Sequence, residues 1–124
     1  MIHTIHITEE LIQHYSYVSD DDNPIHLDEQ SARDQGLPKR IAHGVLTVAL
    51  TTKLITPDLI AGYFIKTLKV KMLAPVFIND TIEATIQPTN TSNDTLTFQL
   101  VCLNSSNQKV LNGKIKLKRL KNEN

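Results

Sequence analysis

The chain has 124 residues, enough for one domain with a hydrophobic core, and we predict a single domain over residues 1–124. Its 13 basic and 13 acidic side chains cancel at neutral pH, which argues against a general attraction to nucleic acid or anionic membranes. The single cysteine, Cys102, excludes an internal disulfide, and its apolar surroundings predict a buried, unreactive thiol. The sequence shows neither a leader-like N-terminus nor an apolar run of membrane-spanning length, and therefore predicts a cytoplasmic protein.

The N-terminal part of the chain has the pattern of a short strand followed by a helix. Residues 2–7 alternate loosely between apolar and polar side chains, as in a strand. Thr8 precedes two glutamates, which predicts an N-cap and an acidic first turn for an amphipathic helix over residues 9–18. Residues 19–24 end that helix, and Pro24 is expected to stiffen the bend.

Two more helices are predicted before the middle of the chain. A short one covers residues 28–35 and ends at the Gly-Leu-Pro sequence of residues 36–38. A longer one covers residues 44–55, where apolar side chains occur on nearly every side and only threonines and one lysine interrupt them. Such a helix should be buried on most of its circumference, and Pro57 is expected to end it.

The second half of the chain changes to a strand pattern. Its segments are rich in Ile, Val, Thr and Phe and are separated by turn residues. Helices followed by strands are typical of the α+β class, and the simplest packing wraps an antiparallel sheet around the long apolar helix. The predicted strands cover residues 62–73, 80–88, 94–104 and 108–119.

The segment Asp21–His26 places a carboxylate, an amide and an imidazole close together in the chain. Asp21 and His26 are candidates for an acid–base pair, because the members of such a pair must lie within hydrogen-bond reach of one proton. Asn23 is expected to orient the pair or the substrate. Three consecutive aspartates are by themselves more often a solvated turn. A calcium loop is excluded, because Pro24 takes a ligand position and the central glycine is missing.

Gly44 begins the apolar helix. Because the first amides of a helix lack internal partners and carry partial positive charge, Gly44 is predicted to donate to an oxyanion. His43 is interpreted as structural in preference to catalytic. Thr52 lies about 12 Å further along the helix, so it cannot share that oxyanion site and is predicted to steady Asp21. Alternatively, the threonines of this helix bond their own helical carbonyls.

These segments, in this order and spacing, resemble the MaoC-like dehydratases, specifically the (R)-specific enoyl-CoA hydratases. The resemblance spans residues 8 to 118, and its third motif is the weakest. The sequence departs from the family pattern at Asp20, where glycine is usual, and at Thr52, where serine is frequent. The residues that carry the resemblance are Tyr15, Val18-Ser19, Asp21–His26 and Ala32 in the first motif, Arg40–Leu46 in the second and Pro75–Asp80 in the third.

The resemblance implies a hot-dog fold and hydration of trans-2-enoyl-CoA, or the reverse dehydration of a (3R)-hydroxyacyl thioester. It implies that Asp21 and His26 form the catalytic dyad, and no metal or redox cofactor is expected. We expect a homodimer, because so short a sheet leaves an open edge and the family joins two sheets. Arg40, Lys39 and the basic stretch 114–121 are candidates for binding coenzyme phosphates, although alternation of lysines in that stretch favours a solvated strand face.

Three other activities stay open. The same reaction could act on substrates held by an acyl carrier protein. A thioesterase is less favoured, because it needs water to attack the carbonyl carbon instead of the β-carbon. The third is a non-catalytic subunit that binds acyl thioesters and keeps the fold. His3, His6 and His14 lie outside the motifs and at no metal-ligand spacing, and we assign them no role.

Overall fold

A computed structural model describes residues 2–121, so the predicted domain ends at 1 and 124 lie outside the described residues. It confirms the α+β class: five antiparallel strands form one sheet, and helical residues such as Ile12 and Leu46 pack against one of its faces. The strands are β1 (Ile2–His6), β2 (Tyr63–Met72), β3 (Thr81–Thr91), β4 (Thr95–Leu103) and β5 (Lys109–Arg119). Their order across the sheet is β1-β3-β4-β5-β2, which makes β1 and β2 the two edges.

The helices come in two groups, one before and one after residue 43. The first group confirms the prediction for residues 9–18, and the Thr8 hydroxyl accepts a bond from the Leu11 amide at 3.2 Å, as an N-cap should. The short helix predicted over residues 28–35 is also present. The helices are α1 (Glu9–Ser19), α2 (Pro24–Leu27), α3 (Glu29–Asp34), α4 (Gly44–Thr52) and α5 (Thr56–Ile60).

Helix α2 was not predicted. We expected Pro24 to stiffen a bend, but it occupies the first turn of α2, where its missing N–H would have no helical partner in any case. The side-chain oxygen of Asn23 caps this turn by accepting a bond from the Ile25 amide at 3.2 Å. The Asn-Pro pair therefore begins a helix and places His26 on it.

The apolar segment 44–55 is less continuous than predicted. Helix α4 ends at Thr52, a 3-10 turn covers Lys53–Ile55, and α5 follows at once. Pro57 lies in the first turn of α5, so the prediction that it ends a helix was wrong. Proline is compatible both with the end of one helix and with the first turn of the next, because both positions need only its fixed φ and no amide donor.

Helix α4 is buried on one side and not on most of its circumference, which corrects the sequence-based prediction. Leu46, Thr47 and Thr51 face the sheet and are buried. Val45 is 66% exposed and Ala49 is also exposed. Within the single chain, this helix keeps a second apolar side that faces solvent.

The core lies between α1, α4 and the inner face of the sheet. Alternate strand residues such as Ile82, Leu100 and Ile115 point into it and are fully buried. Cys102 belongs to this face and is buried as predicted, and burial raises the pKa of its thiol. Its sulfur lies 3.2 Å from the Thr51 hydroxyl of α4.

Strands β2 and β5 approach each other closely at Gly113. A Cβ at this position would lie 2.6 Å from Cγ1 of Val70 and 2.7 Å from the carbonyl oxygen of Lys69. Strand β3 runs three residues beyond its predicted end at residue 88, because its register shifts between Pro88 and Asn90 and the proline is accommodated at that irregularity. No helix within residues 2–121 is both long and apolar enough to cross a bilayer.

Candidate active site

The loop between α1 and α2 carries Asp21 and is fixed through its main chain. Asp20, which caps the end of α1, has a left-handed conformation with φ of 61°, a geometry that glycine favours and aspartate tolerates. The carbonyl oxygen of Asp21 accepts bonds from the Ser16 hydroxyl at 2.5 Å and from Nε2 of His43 at 2.9 Å. The main chain holds the loop in this way while residue 21 itself remains exposed.

His26 is 7% exposed, and helix α2 presents its ring to the loop before α4. Its Nδ1 donates to the carbonyl oxygen of Ile41 at 2.8 Å, which leaves a lone pair on Nε2 in the neutral ring. Burial lowers the pKa of His26, and His43 lowers it further, while the bond to Ile41 and the charge of Asp21 oppose the shift. The neutral imidazole is thus the favoured form, with Nε2 available as a proton acceptor.

His43 lies directly behind His26. The two rings stack with centroids 3.8 Å apart and planes 25° apart, and the edge of Tyr15 contacts His43 at 4.8 Å between centroids. His43 is 2% exposed, and its Nδ1 is buried with no hydrogen-bond partner in the part of the chain that the structure describes. These contacts support the predicted structural role, in which His43 fixes the Asp21 carbonyl and the His26 ring.

Asp21, His26 and His43 each offer one ligating atom, and these three atoms all lie within 4.8 Å of one another. A carboxylate and two imidazoles could in principle hold zinc. Zinc needs ring lone pairs that converge on one point, whereas stacked rings direct their in-plane lone pairs along nearly parallel planes. The geometry of the stacked rings therefore does not fit a zinc site.

Gly44 is the first residue of α4 and follows His43 directly, so the head of this helix lies beside the histidine pair. The residue is exposed, and no hydrogen bond is recorded for its amide within residues 2–121. A Cβ at this position would meet Cγ of Met72 at 3.6 Å, an ordinary contact. The structure therefore offers an accessible amide at the predicted oxyanion site.

Two of the supporting residues have local roles. Asn23 caps α2 and so helps to build the turn that carries His26. The hydroxyl of Thr52 donates to the carbonyl oxygen of Ala49 at 3.0 Å, and no bond to Asp21 is recorded among the described residues. This is the alternative in which the helix threonines bond their own helix, and the predicted contact between Thr52 and Asp21 is not formed.

Arg40 and Lys39 differ in their surroundings. The Arg40 side chain is 11% exposed, pairs with Glu9 of α1, and donates from Nε to the His26 carbonyl at 3.0 Å. It therefore links α1 to α2, which argues against the predicted contact with coenzyme phosphates. Lys39 is exposed. The lysines at 114, 116 and 118 lie on the outer face of β5, as their alternation in the sequence predicts.

Sequence reasoning missed three of the contacts that build the site. These are the Glu9–Arg40 pair, the Ser16 bond to the Asp21 carbonyl, and the Ile41 carbonyl that fixes the His26 ring. Glu9 carried only the signal of an acidic helix start, and it is 31 residues from its partner. The other two contacts are made to main-chain carbonyl oxygens. Every residue has such an oxygen, so residue type gives no signal for them.

The sheet wrapped over α4 is a hot-dog fold, and solved structures share it. One is the (R)-hydratase PhaJ1 from Pseudomonas aeruginosa, with a TM-score of 0.87 and 23% identity, covering 98% of this chain and 80% of that one. Another is an (R)-hydratase from A. caviae involved in PHA biosynthesis, with a TM-score of 0.88 and 21% identity, covering 96% and 92% respectively. At these identities the likeness shows the fold.

The family follows from the sequence match. A family model described as the MaoC like domain matches residues 2–112, so this chain belongs to the MaoC-like hydratases and dehydratases. It is also 31% identical over 80 residues to the mitochondrial 3-hydroxyacyl-acyl-carrier-protein dehydratase of Arabidopsis thaliana. That alignment covers 64% of this chain and 48% of the relative, so the chain spans about half of the relative's length.

Proposed function

We propose that this protein catalyses the reversible addition of water to trans-2-enoyl-CoA, giving the (3R)-hydroxyacyl thioester. The observation that carries the proposal is the placement of Asp21 and His26. Their ligating atoms lie within 4.8 Å, and the bond to Ile41 leaves the Nε2 lone pair of His26 free to accept a hydrogen bond from water. Membership of the MaoC-like family supports the reaction type.

In the proposed mechanism, Asp21 accepts a proton from a water molecule that Nε2 of His26 orients. The water oxygen bonds to the β-carbon of the enoyl thioester, and the electron pair of the double bond moves toward the thioester oxygen. As the resulting enolate collapses, a proton from the dyad bonds to the α-carbon. Water has then been added across the double bond, and both side chains have returned to their starting protonation states.

Gly44 is the proposed donor to the thioester oxygen while its negative charge develops. The amide lies at the N-terminus of α4, has no recorded partner within residues 2–121, and adds the partial positive charge of the helix end. Loss of one such donor typically costs about 3–4 kcal/mol of transition-state stabilisation. The glycine also lets a carbonyl oxygen approach without a side chain in the way.

We further propose that the working unit is a homodimer. The single chain leaves edge strand β2 open and exposes apolar side chains along it and on α4, including the 66% exposed Val45 beside Gly44. A second copy paired at β2 would cover these side chains and enclose an acyl chain near the dyad. The exposed apolar residues of β2 and the segment after it are Phe64, Ile65, Leu68, Met72 and Leu73.

The carrier of the acyl group is the main alternative. The Arabidopsis relative is named for a substrate on acyl carrier protein, whereas the two solved structures are named as (R)-hydratases. We favour coenzyme A because the motifs resemble the enoyl-CoA hydratases. Matched crotonyl thioesters of coenzyme A and of acyl carrier protein separate the two, since the preferred carrier gives the higher kcat/KM.

The proposed function is tested by loss of the enone absorbance of crotonyl-CoA in the presence of the purified protein. Asp21→Asn and His26→Ala should each lower the rate by about 10² to 10⁴-fold, as expected for loss of a general acid or base. Asp22→Asn and His14→Ala are matched controls, because these exposed residues lie outside the dyad. Unchanged rates in the dyad variants would exclude the mechanism, release of free thiol would indicate a thioesterase, and binding without turnover would indicate a non-catalytic subunit.

A further inference from the structure

Three neighbouring strands of the sheet carry an unusual excess of positive charge. Strands β2, β4 and β5 are neighbours, and together they hold eight basic side chains and no acidic one, although the whole chain is neutral. A solvated sheet face normally mixes both signs, because opposite charges on facing strands stabilise the pairing. The eight are Lys66, Lys69, Lys71, Lys109, Lys114, Lys116, Lys118 and Arg119.

Two of these lysines are placed directly against each other. Lys69 of β2 and Lys114 of β5 are register partners in the antiparallel pair, and Gln99 of β4 lies opposite Lys114 on its other side. Like charges in directly opposite positions destabilise a sheet. No salt bridge to either lysine is recorded among the described residues. Within the described residues, no acidic side chain compensates the charge of either lysine.

A cavity of about 570 Å³ lies over this pair. Its size falls within the range of small-molecule sites, roughly 300–1,000 Å³. Besides its three lysines, it is lined by three carboxamide side chains that can donate hydrogen bonds without adding charge. We call this surface the lysine cavity: Lys69, Lys71, Lys114, Asn90, Gln99 and Asn112.

The lysine cavity is on the opposite side of the sheet from the dyad. Cys102 points inward and contacts Thr51 of α4, so strand alternation points Gln99 of the same strand outward. The residues flanking Lys114 along β5 are Gly113 on the inner face and the fully buried Ile115. A ligand in this cavity would not occupy the site that holds Asp21 and His26.

We propose that the lysine cavity binds a small phosphate-bearing anion of the pyrophosphate or nucleotide class, separately from the thioester site. Side chains on facing strands are about 5 Å apart and those two residues apart on one strand about 7 Å, spacings that match neighbouring phosphate groups. Lysine ammonium groups bind phosphate as compact point charges, and the carboxamides supply further donors. Three cations with no acidic side chain on their strands select a ligand with more than one negative charge.

The test measures binding of sodium pyrophosphate and of adenosine 3′,5′-bisphosphate to the full chain by isothermal titration calorimetry. We expect saturable binding of one anion per chain that weakens as salt is raised, because the lysines are exposed. The double variant Lys69→Gln with Lys71→Gln should bind about tenfold more weakly. The matched control, Lys53→Gln with Lys109→Gln, removes the same charge outside the cavity and should bind as the unaltered protein does.

Several outcomes would overturn the proposal. They are absence of binding by both probes, equal weakening in the control variant, and binding only to vesicles of anionic phospholipid. A tenfold rise in KM for crotonyl-CoA in the cavity variant would assign the lysines to the substrate's own nucleotide instead of a separate site. Because pyrophosphate is not a thioester, the binding result stands or falls independently of the proposed hydratase activity.

Discussion

Main-chain contacts fix the position of His26, and burial favours its neutral form. Its Nδ1 donates to Ile41, and the ring behind it belongs to His43, which in turn holds the carbonyl of Asp21. Burial is the largest cause of its lowered pKa. The lowered pKa favours the neutral imidazole, the form that the proposed mechanism needs at His26.

The lowered pKa of His26 makes stability depend on pH in a defined direction. Because the folded-state pKa lies below the ordinary value of 6.5, the contribution to the free energy of unfolding is fully present above pH 6.5 and is lost as pH falls through the folded-state pKa. The free energy of unfolding, measured in urea, should fall more steeply below pH 6.5 for the unaltered protein than for His26→Asn. The exposed His14→Asn is the control and should keep the steeper slope. Parallel slopes in all three proteins would contradict the burial of a neutral His26.

The candidate site was predictable where its residues are neighbours in sequence. The spacing of Asp21 and His26 pointed to an acid–base pair, and Gly44 at the head of an apolar run pointed to a free amide. The stack of His43 on His26 and the Arg40 link to Glu9 join distant segments, so only the folded chain reveals them. The predicted contact between Thr52 and Asp21 was wrong, because a helical carbonyl three residues back is within reach of a threonine hydroxyl and Thr52 bonds to it.

At the scale of elements, α4 contains two buried threonines one turn apart with opposite environments. Thr51 donates to the Thr47 carbonyl at 2.8 Å and contacts the sulfur of Cys102. The Thr47 hydroxyl is buried and has no hydrogen-bond partner within residues 2–121. A buried hydroxyl without a partner opposes folding, whereas a bonded one supports it.

Valine at the two positions should therefore have opposite effects. Thr47→Val keeps the shape and removes an unpaired polar group, so the free energy of unfolding should rise by about 1 kcal/mol. Thr51→Val removes a bonded hydroxyl and should lower it by about 1 kcal/mol. Chemical denaturation of both variants checks the pair. A loss of stability in Thr47→Val would mean that its hydroxyl has a partner, such as a bound water.

The limits of sequence-based prediction are clearest at helix ends. The strands were found within a few residues because their β-branched patterns are long, but the order β1-β3-β4-β5-β2 depends on pairing between distant segments. Pro24 was expected to stiffen a bend and Pro57 to end a helix, but both lie in the first turn of a helix. Proline fixes φ without choosing between these outcomes, and the cap from Asn23 decides the first of them.

At the scale of the whole molecule, the two sheet edges differ in what they expose. Edge strand β1 is short, with five residues, and its exposed apolar side chain is Ile2, which is 65% exposed. Edge β2 has ten residues and exposes several large apolar side chains, of which Met72 lies close to Gly44 of α4. This edge is where we propose that a second copy pairs, and the closeness of Met72 to Gly44 would tie such pairing to the proposed site.

Charge placed on each edge tests the proposed dimer. Leu68→Glu adds a carboxylate to the inner side of β2 and should raise the dimer dissociation constant by about 100-fold or more, because a charge would be buried in the contact. Turnover of crotonyl-CoA should fall with the dimer fraction. Ile2→Glu on the opposite edge should change neither quantity. Sedimentation velocity over a concentration series measures the association, and a monomeric unaltered protein with full activity would reject the proposal.

The loop at residue 21 is held through its main chain, so its conformation does not depend on the carboxylate that is proposed to act in the reaction. Ser16 and His43 both bind the carbonyl of that residue, while its carboxylate accepts a long bond from the Asn23 amide at 3.4 Å and no other among residues 2–121. Exchanging one oxygen of that side chain for nitrogen would leave both anchors untouched. Asp21→Asn should for that reason be a well-folded trap, suited to capturing an unreacted thioester for crystallography.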